Sequence, residues 1–390
     1  MALHAQQQDA LDQVKAWIGQ GCPGDCFRLF GFAGTGKSTI AKQFPDLVSG
    51  RVLYAAYTGK AAHVLNKKGC NATTIHRLIY RPRQNSGRHL RTLEDALTDA
   101  RKAKDATKVR KLEFLITKEK EKLKSPAWDR NDESDLKEAS LLVLDEVSMV
   151  GDKLARDLIS YGTPILALGD PAQLPPVGST GGFFTNHKPN VMLTDIHRQE
   201  AGSEVLDLAT RVRNKELLTL GDCVVPKGQL SLADIVQYDQ ILVGRNKTRK
   251  IINNRVRKHL GFTGLPKPGD KLVCLRNNHD IGIMNGSQWY VEDSTEVEGD
   301  QIILSLKDED GVRVDVISWT HLFEGRDAPF HGATDCELFD YGYAMTVHKS
   351  QGSQWDKVFI VNESDAFRKD RHRWLYTAVT RASEKVMISQ

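Results

Sequence analysis

Short, uninterrupted apolar runs alternate along this chain with longer segments in which apolar residues recur at helical spacing. The clearest runs cover residues 27–30, 52–56, 140–145 and 164–168. Such runs suit strands that are buried on both faces of a parallel sheet. Strands that alternate with helices indicate an α/β fold. The pattern from 27 to 79 and from 140 to 195 therefore predicts a parallel-sheet domain.

Two segments depart from this alternation. Residues 88–125 contain neither glycine nor proline, and their apolar side chains repeat at helical spacing, which predicts one long helix or a helical hairpin within 81–135. Between 270 and 333, short strand-like segments are separated by turn sequences at 285–286 and 308–311. This second segment predicts a small β barrel.

The size of the chain adds a constraint. A single core stops growing near ~250–300 residues, so 390 residues predict two or more domains. The net charge of +4 permits nucleic-acid binding but does not argue for it. We expect no membrane span, because no apolar run approaches ~18 residues, and the polar N-terminus does not resemble a signal peptide. Of six cysteines only Cys22 and Cys26 are close together, which favours free thiols in a reducing cytoplasm over a zinc site.

A glycine-rich segment follows the first apolar run. Gly31, Gly36, Lys37 and Ser38 fill the pattern G-x-x-x-x-G-K-[ST]. Glycines let successive backbone N–H groups point at phosphate oxygens, and a helix from Thr39 onward adds its positive N-terminal end. Lys37 would reach the β- and γ-phosphates of ATP, and Ser38 would bind Mg²⁺. The predicted nucleotide-binding residues of this loop are Gly34, Thr35, Gly36, Lys37, Ser38 and Thr39. The alternative is a glycine-rich turn with a surface lysine.

Two adjacent acids end the apolar run at 140–145. The carboxyl ends of parallel strands are where open α/β sheets bind ligands. Asp145 is therefore predicted to hold Mg²⁺, and Glu146 to polarise the water that attacks the γ-phosphate. A second acid suits hydrolysis, whereas one suffices for transfer to a positioned acceptor. The alternative is an ordinary strand end with solvated acids.

Residues 145–149 (DEVSM) and 169–177 (GDPAQLPPV) resemble superfamily 1B helicases, the RecD-like and Dda-like branch. Similar motifs lie at 57–62 (YTGKAA), 73–78 (TTIHRL), 193–199 (LTDIHRQ), 343–360 (YAMTVHKSQGSQWDKVFI) and 375–388 (LYTAVTRASEKVMI). The resemblance implies an α/β fold of two RecA-like parallel-sheet motor domains, with a helical insertion in the first and a small SH3-like β-barrel insertion in the second. The implied boundaries are 1–80 and 136–195 for motor domain 1A, 81–135 for insertion 1B, 196–269 and 334–390 for motor domain 2A, and 270–333 for insertion 2B.

The resemblance also implies roles for single residues at the nucleotide. Gln173 would sense the γ-phosphate, and Arg198 and Arg381 would act as arginine fingers. Gln7 would read adenine, although three adjacent glutamines also fit a plain helix start. Gln354 stands where the family commonly has a glutamate on the ribose; its amide can still bond a hydroxyl but lacks the charge, so whether the preference for ATP stays strict is left open.

Further residues are implied to contact nucleic acid. The implied DNA-backbone contacts are Thr58, Lys60 and His76 from the first motor domain and Thr346, His348 and Lys349 from the second. Candidates for base stacking are Tyr57, Phe183, Phe184 and Trp355, each with a core position as the alternative.

The function implied is a 5′-to-3′ ATP-dependent DNA helicase that uses ATP and Mg²⁺. Its implied partners are single-stranded DNA, forked or tailed duplex, and single-strand-binding or replication and recombination proteins. The helical insertion would replace the β-hairpin pin of the family. Two alternatives are a single-strand translocase that unwinds little and a non-motor P-loop phosphotransferase.

Overall fold

The structure, a computed structural model, describes residues 3–24, 26–82, 86–123, 128–176, 182–195, 203–221, 223–278, 281–297, 300–326 and 336–390. Its strands are β1 (Cys26–Gly31), β2 (Val52–Ala56), β3 (Ala72–Thr74), β4 (Tyr80–Pro82), β5 (Trp128–Arg130), β6 (Leu141–Asp145), β7 (Ile165–Gly169), β8 (Val191–Leu193), β9 (Val224–Val225), β10 (Gln240–Val243), β11 (Lys271–Cys274), β12 (Gln288–Val297), β13 (Gln301–Asp308), β14 (Arg313–Trp319), β15 (Phe339–Tyr341), β16 (Ala344–Thr346), β17 (Trp355–Val361) and β18 (Ala382–Ser389). Its α-helices are α1 (Ala5–Gly19), α2 (Lys37–Ile40), α3 (Gly59–Lys67), α4 (Ile75–Ile79), α5 (Ser86–Lys102), α6 (Ala106–Leu123), α7 (Asp152–Ile159), α8 (Glu204–Arg213), α9 (Leu232–Ile235), α10 (Asn246–His259), α11 (Thr320–Phe323) and α12 (Arg371–Val379).

The first half of the chain forms a parallel sheet with the strand order β3-β2-β6-β7-β1-β8, which we call sheet A. Every residue of β6 and of β7 is buried, because helices cover both faces of the sheet. One face packs against α1, α2 and α3, and the other against α4 and α7. Strands β6, β7 and β1 are neighbours in this sheet. Asp145 at the end of β6 and Asp170 just after β7 therefore lie near the carboxyl end of β1, where the phosphate loop begins.

A helical hairpin branches from sheet A after α4. Its base is the antiparallel ribbon of β4 and β5, in which Tyr80 pairs with Arg130. Helices α5 and α6 pack mainly on each other, and the ion pairs Arg101–Glu113 and Lys120–Glu94 join them at 2.8 and 2.9 Å. The turn between the two helices lies at residues 103–105, where Asp105 Oδ1 accepts a hydrogen bond from Lys108 N–H. The segment is therefore two helices and not one.

The second half of the chain builds two more sheets. Sheet B is parallel, with the order β16-β10-β17-β18-β9, and α8 and α12 cover one face while α10 lies on the other. Sheet C is antiparallel, with the order β14-β13-β12-β11-β15. Four of its strands fall in the segment predicted to hold a barrel. The fifth, β15, comes from beyond that segment.

Buried polar side chains join sheets B and C. Trp355 Nε1 donates to Gln288 Oε1 at 2.8 Å, and the Gln288 amide donates to Gln240 Oε1. Lys271 Nζ donates to Asp239 O at 2.7 Å and to Gln240 Oε1 at 3.3 Å. Burial lowers the pKa of Lys271 to about 8. The indole of Trp355 is thus part of this junction, so the alternative of a core position holds and base stacking is wrong for it.

None of the helices described has the length and apolar character that crossing a membrane requires. The six cysteines, all of which lie in the described ranges, form no disulfide with one another.

Candidate active site

The phosphate loop lies between β1 and α2 at the carboxyl edge of sheet A. Gly34 and Gly36 have φ of +81° and +78°, a conformation that glycine adopts without steric cost. The Lys37 ammonium donates to the carbonyl oxygens of Gly31 and Phe32 at 2.6 and 3.0 Å. The loop and its lysine therefore form one hydrogen-bonded unit.

The helix after this loop differs from the prediction. It begins at Lys37 and not at Thr39, and only Lys37–Ile40 is α-helical before a 3-10 helix continues over Ala41–Leu47. Pro45 lies inside that 3-10 helix and has no N–H to donate, which opposes a regular α-helix there.

A cavity of about 460 Å³ opens in front of the loop, between sheets A and B. The sheet A side contributes His4, Gln7, Ala33, Gly34, Gly36, Lys37, Ser38, Thr39, Ala61, Val64, Lys68, Asp145, Glu146 and Gln173, and the sheet B side contributes Gly352, Ser353, Gln354, Thr380 and Arg381. Nearly all residues predicted to bind nucleotide thus meet around one space. Thr35 is buried behind it, where its hydroxyl donates to Phe32 O at 2.9 Å.

The two acids after β6 have different environments. Asp145 is buried, and burial, with the neighbouring charge of Glu146, raises its pKa to about 6. Glu146 is half-buried and has φ of +53°, in the left-handed region that residues with a Cβ rarely adopt. Its carboxylate therefore lines the cavity from a strained backbone position, a feature that clusters at functional sites.

Gln173 is 5% exposed and lines the same cavity. Within the described part of the chain its Oε1 has no hydrogen-bond partner. An unsatisfied buried acceptor costs free energy, so a polar ligand there would be favoured. A water or a hydroxyl donor in the cavity would satisfy this atom.

Arg381 reaches the cavity from the turn between α12 and β18 and is 5% exposed. Its guanidinium donates to Thr377 O at 3.1 Å, to Ser353 O at 3.2 Å and to Thr380 Oγ1 at 3.2 Å. These bonds fix the side chain on the sheet B side. Arg198, the other predicted finger, lies outside the described residues.

The adjacent glutamines of α1 separate into different roles. Gln7 is buried, donates to Thr35 O at 3.1 Å and lines the cavity. Gln6 is turned toward residues 194–195, whose N–H groups donate to its Oε1 at 2.9 and 3.0 Å. Gln8 bonds to Asp12 within the helix. Only tertiary structure distinguishes the three.

Lys68 also lines the cavity and was missed from the sequence. Burial lowers its pKa, and the nearby carboxylate of Asp145 opposes that shift. It belongs to none of the quoted motifs and follows α3, so no local signal identifies it.

The oxygen donors in this cavity suit Mg²⁺. Mg²⁺ in proteins is usually held by one or two carboxylates together with substrate phosphates. Ser38 and Asp145 both line the cavity, and the pKa of Asp145 is raised by burial, so a cation beside it would stabilise its charge. No group of three or more histidine, cysteine or acidic side chains suited to a metal occurs within the described ranges.

A second cavity, of about 620 Å³, lies where sheets A, B and C meet. Its lining residues are Tyr57, Thr58, Gly59, Thr74, His76, Arg77, Tyr80, Met149, Leu275, Arg276, Asn277, Asn285, His348 and Lys349. We call it the groove. It brings together four of the residues predicted to contact DNA.

Two other residues predicted to contact DNA do not line the groove. Lys60 pairs with Glu309, in the turn between β13 and β14, at 3.3 Å. The Thr346 hydroxyl accepts from Lys349 N–H at 3.4 Å, beneath the groove. Of the stacking candidates, Tyr57 lines the groove and contacts the His76 ring edge-on, whereas Phe184 is fully buried in the core. Stacking by Phe184 is therefore wrong.

The positive charge of the groove includes Lys349, whose charge depends on pH near neutrality. Burial lowers the pKa of Lys349 to about 8. Burial also lowers the pKa of His76 and of His348 below the ordinary histidine value. Both imidazoles are thus neutral at pH 7, and Lys349 is still charged.

Comparison with known proteins agrees with this architecture. Residues 3–222 match the family described as AAA domain, and residues 341–389 match the UvrD-like helicase C-terminal domain. The ATP-dependent RecD2 DNA helicase of Deinococcus radiodurans is 28% identical over 92% of this chain and 46% of that protein. The RecBCD enzyme subunit RecD of Mycobacterium tuberculosis is 30% identical over 46% of this chain and 28% of its own length. The chain thus spans less than half the length of these relatives.

Solved structures share the fold. The Pif1 helicase of Candida albicans superposes with a TM-score of 0.56 at 18% identity, over 100% of this chain and 94% of that one. A Bacteroides Pif1 helicase in complex with ADP-AlF3 and ssDNA gives the same TM-score and identity, over 100% of this chain and 93% of its own.

Proposed function

The chain belongs to the superfamily 1B helicases, RecD-like and Dda-like branch, and from that premise we propose that it is an ATP-dependent DNA helicase. One observation carries the proposal. The cavity between sheets A and B combines a phosphate loop, two acids and Gln173 on one side with Arg381 on the other. Such a site hydrolyses ATP only when both sides meet.

The chemistry follows from the lining residues. Lys37 and the loop N–H groups bind the β- and γ-phosphates, while Ser38 and Asp145 would hold Mg²⁺, which neutralises phosphate charge when bound. Glu146 accepts a proton from the attacking water, and Gln173 Oε1 orients that water. Arg381 stabilises charge on the γ-phosphate from across the cavity. From the sequence, Arg198 is proposed as a second finger, Gln7 as the adenine contact and Gln354 as the ribose contact.

Hydrolysis is proposed to move DNA through the groove. ATP binds both sides of the cavity, so losing the γ-phosphate shifts the population toward an open arrangement. The groove, like the cavity, is lined from both the sheet A side and the sheet B side. Thr58 and His76 belong to the sheet A side, and His348 and Lys349 belong to the sheet B side. Their spacing therefore changes with the cleft. Lys60 and Thr346 are proposed as adjoining contacts, with Lys60 exchanging Glu309 for phosphate.

The proposed domain boundaries are those expected from the sequence. Sheets A and B form motor domains 1A and 2A, and helices α5 and α6 form insertion 1B. Strands β11 to β14 of sheet C form the SH3-like insertion 2B, and the 334–390 segment of 2A adds β15 to that sheet. Single-stranded DNA and forked or tailed duplex are the proposed substrates, and the proposed location is the cytoplasm. Single-strand-binding or replication and recombination proteins are proposed as further partners.

The test is a paired unwinding assay on duplexes with a 5′ tail or a 3′ tail, each with and without ATP. We expect ATP-dependent unwinding of the 5′-tailed duplex only, because the proposed polarity is 5′ to 3′. Unwinding of only the 3′-tailed duplex would reverse the polarity. DNA-stimulated ATPase without unwinding would identify a translocase, and ATPase indifferent to DNA would reject a motor.

Affinity for single-stranded DNA should fall as pH rises from 7 to 9. Lys349, whose pKa is about 8, is charged below that value and loses its charge above it. The weakening should reach up to about tenfold, because with a pKa of about 8 roughly one tenth of Lys349 still carries its charge at pH 9. Fluorescence anisotropy of a labelled oligonucleotide at constant ionic strength measures this.

The control for this pH effect is Lys349→Arg, whose guanidinium stays charged across the range. Its affinity should change much less with pH. The imidazoles of His76 and His348 are neutral throughout, and burial raises the pKa of Tyr57 above its usual value, so these groups do not titrate in the window. An equal pH dependence in both proteins would contradict the assignment.

Replacing residues 86–123 with a short Gly/Ser linker should reduce duplex unwinding sharply and leave single-strand-stimulated ATPase intact. The two helices pack mainly on each other, and none of their residues from 90 to 120, whose side chains the structure describes, lines either cavity. The replacement retains the β4–β5 ribbon and Ser134, whose hydroxyl donates to Leu78 O at 2.7 Å. Both rates are measured on one preparation. Unwinding at the parental rate would make the hairpin dispensable, and loss of both activities would make it part of the motor fold.

A further inference from the structure

A buried tyrosine connects the two sides of the nucleotide cavity. Tyr376 of α12 is 2% exposed, and its hydroxyl donates to Asp170 Oδ2 at 2.7 Å. The same oxygen accepts a hydrogen bond from Ala33 N–H at 3.0 Å. One hydroxyl of the sheet B side therefore bonds at once to the phosphate loop and to the acid that follows β7.

Neighbouring hydrogen bonds also connect the sheet B side to the sheet A side. Thr377 Oγ1 accepts from Leu174 N–H at 2.9 Å, and Gln351 Nε2 donates to Leu174 O at 3.1 Å. All these bonds cross from sheet B to the segment of sheet A that contains Gln173. The contact is thus polar and specific. These hydrogen bonds can form only when the sheet A side and the sheet B side are in contact.

The environment of Asp170 makes this bond consequential. Its carboxylate is fully buried, and burial raises its pKa, while Lys37, the Tyr376 hydroxyl and the N–H of Ala172 favour the charged form. A buried carboxylate that loses a donor is left partly unsatisfied. Removing the Tyr376 hydroxyl would therefore disturb both Asp170 and the loop at Ala33.

We propose that Tyr376 is a positioning residue for ATP hydrolysis, whose hydroxyl aligns the phosphate loop and the Gln173 segment with Arg381 when the cleft closes. Gln173 follows Asp170 by three positions, and Arg381 follows Tyr376 by five. Fixing Asp170 against Tyr376 thereby sets the water-orienting amide against the finger. The inference rests on the proposed function and extends it to the control of turnover.

The test compares Tyr376→Phe with the unmodified chain in steady-state ATPase assays with saturating single-stranded DNA. Removing a hydrogen bond to a charged group typically costs about 10- to 100-fold. We expect kcat to fall by that amount and KM for ATP to change less than about threefold. A merely structural role would lower the active fraction, so active-site titration by single-turnover burst is included.

Two further variants make the result specific. Tyr341→Phe removes another buried tyrosine hydroxyl, which donates to Gly264 O at 3.1 Å and lines neither cavity, so its kcat should be unchanged. Asp170→Asn keeps the shape and an acceptor, and it should lower kcat with KM retained even if Tyr376→Phe folds poorly. The double variant should be no slower than the slower single one, because both act through one bond.

An unchanged kcat for Tyr376→Phe, a change confined to KM, or additive losses in the double variant would each overturn the inference. A parent chain without DNA-stimulated ATPase would instead overturn the proposed function, and the inference with it. The two failures are therefore distinguishable in one set of measurements.

Discussion

A chain in which glutamine replaces Glu146 should bind ATP as tightly as the parent and hydrolyse it about 10²- to 10⁴-fold more slowly, the usual contribution of a general base. Glu146 lines the cavity, and glutamine has nearly the same shape as glutamate but no charge. The amide cannot accept the proton of the attacking water. Fluorescent-nucleotide titration and single-turnover hydrolysis measure the two quantities separately.

Lys37→Ala provides the contrast to that result. It removes the charge next to the phosphates and two hydrogen bonds within the loop, so both hydrolysis and nucleotide affinity should fall. Glu138 is an exposed acid that precedes β6, so Glu138→Gln should change neither hydrolysis nor nucleotide affinity. Near-parental turnover in Glu146→Gln would remove Glu146 from the mechanism.

Loss of Arg381 should reduce turnover at least as much as loss of the Glu146 carboxylate, for a different reason. Arginine fingers typically contribute about 10³- to 10⁵-fold to kcat, and we expect Arg381→Ala to lose an amount in that range with a smaller change in nucleotide affinity. Steady-state ATPase with saturating DNA measures it. A loss of binding with unchanged turnover would contradict a role across the cleft.

Because Arg381 also bonds to Thr377 O and Ser353 O, alanine there removes structural contacts as well as charge. Arg381→Lys separates the two effects, since it keeps the charge but not the planar fork. Arg373→Ala is the matched control on α12, the helix that precedes Arg381; this arginine is partly exposed and lies 3.6 Å from Asp370. It should retain parental turnover and thermal stability.

The buried strands of sheet A follow from local pattern, and the reason is physical. A strand covered on both faces must be apolar throughout, as β6 and β7 are, so its position is visible in the sequence. The glycines and Lys37 of the phosphate loop are fixed by backbone conformation and by phosphate chemistry, which are also local. Their grouping around one cavity could therefore be predicted.

Contacts between distant segments left no such signal. The bonds of Tyr376 to Ala33 and Asp170, and the pairing of β15 with β11, depend on how the sheets pack. The choice between one helix and two over 88–125 depended on a turn without glycine or proline, where Lys104 adopts φ of +54°. Apolar residues recur at helical spacing on both sides of that turn, and the pattern alone did not decide between the two.

The left-handed backbone at Glu146 has a consequence for engineering this chain. An L-residue in that conformation costs roughly 1 kcal/mol relative to glycine. A glycine at 146 would relax the backbone and should raise the free energy of unfolding by a similar amount, while removing the proposed base. A screen that rewards heat resistance alone would thus favour inactive chains at this position, so thermostable variants must be selected for turnover as well.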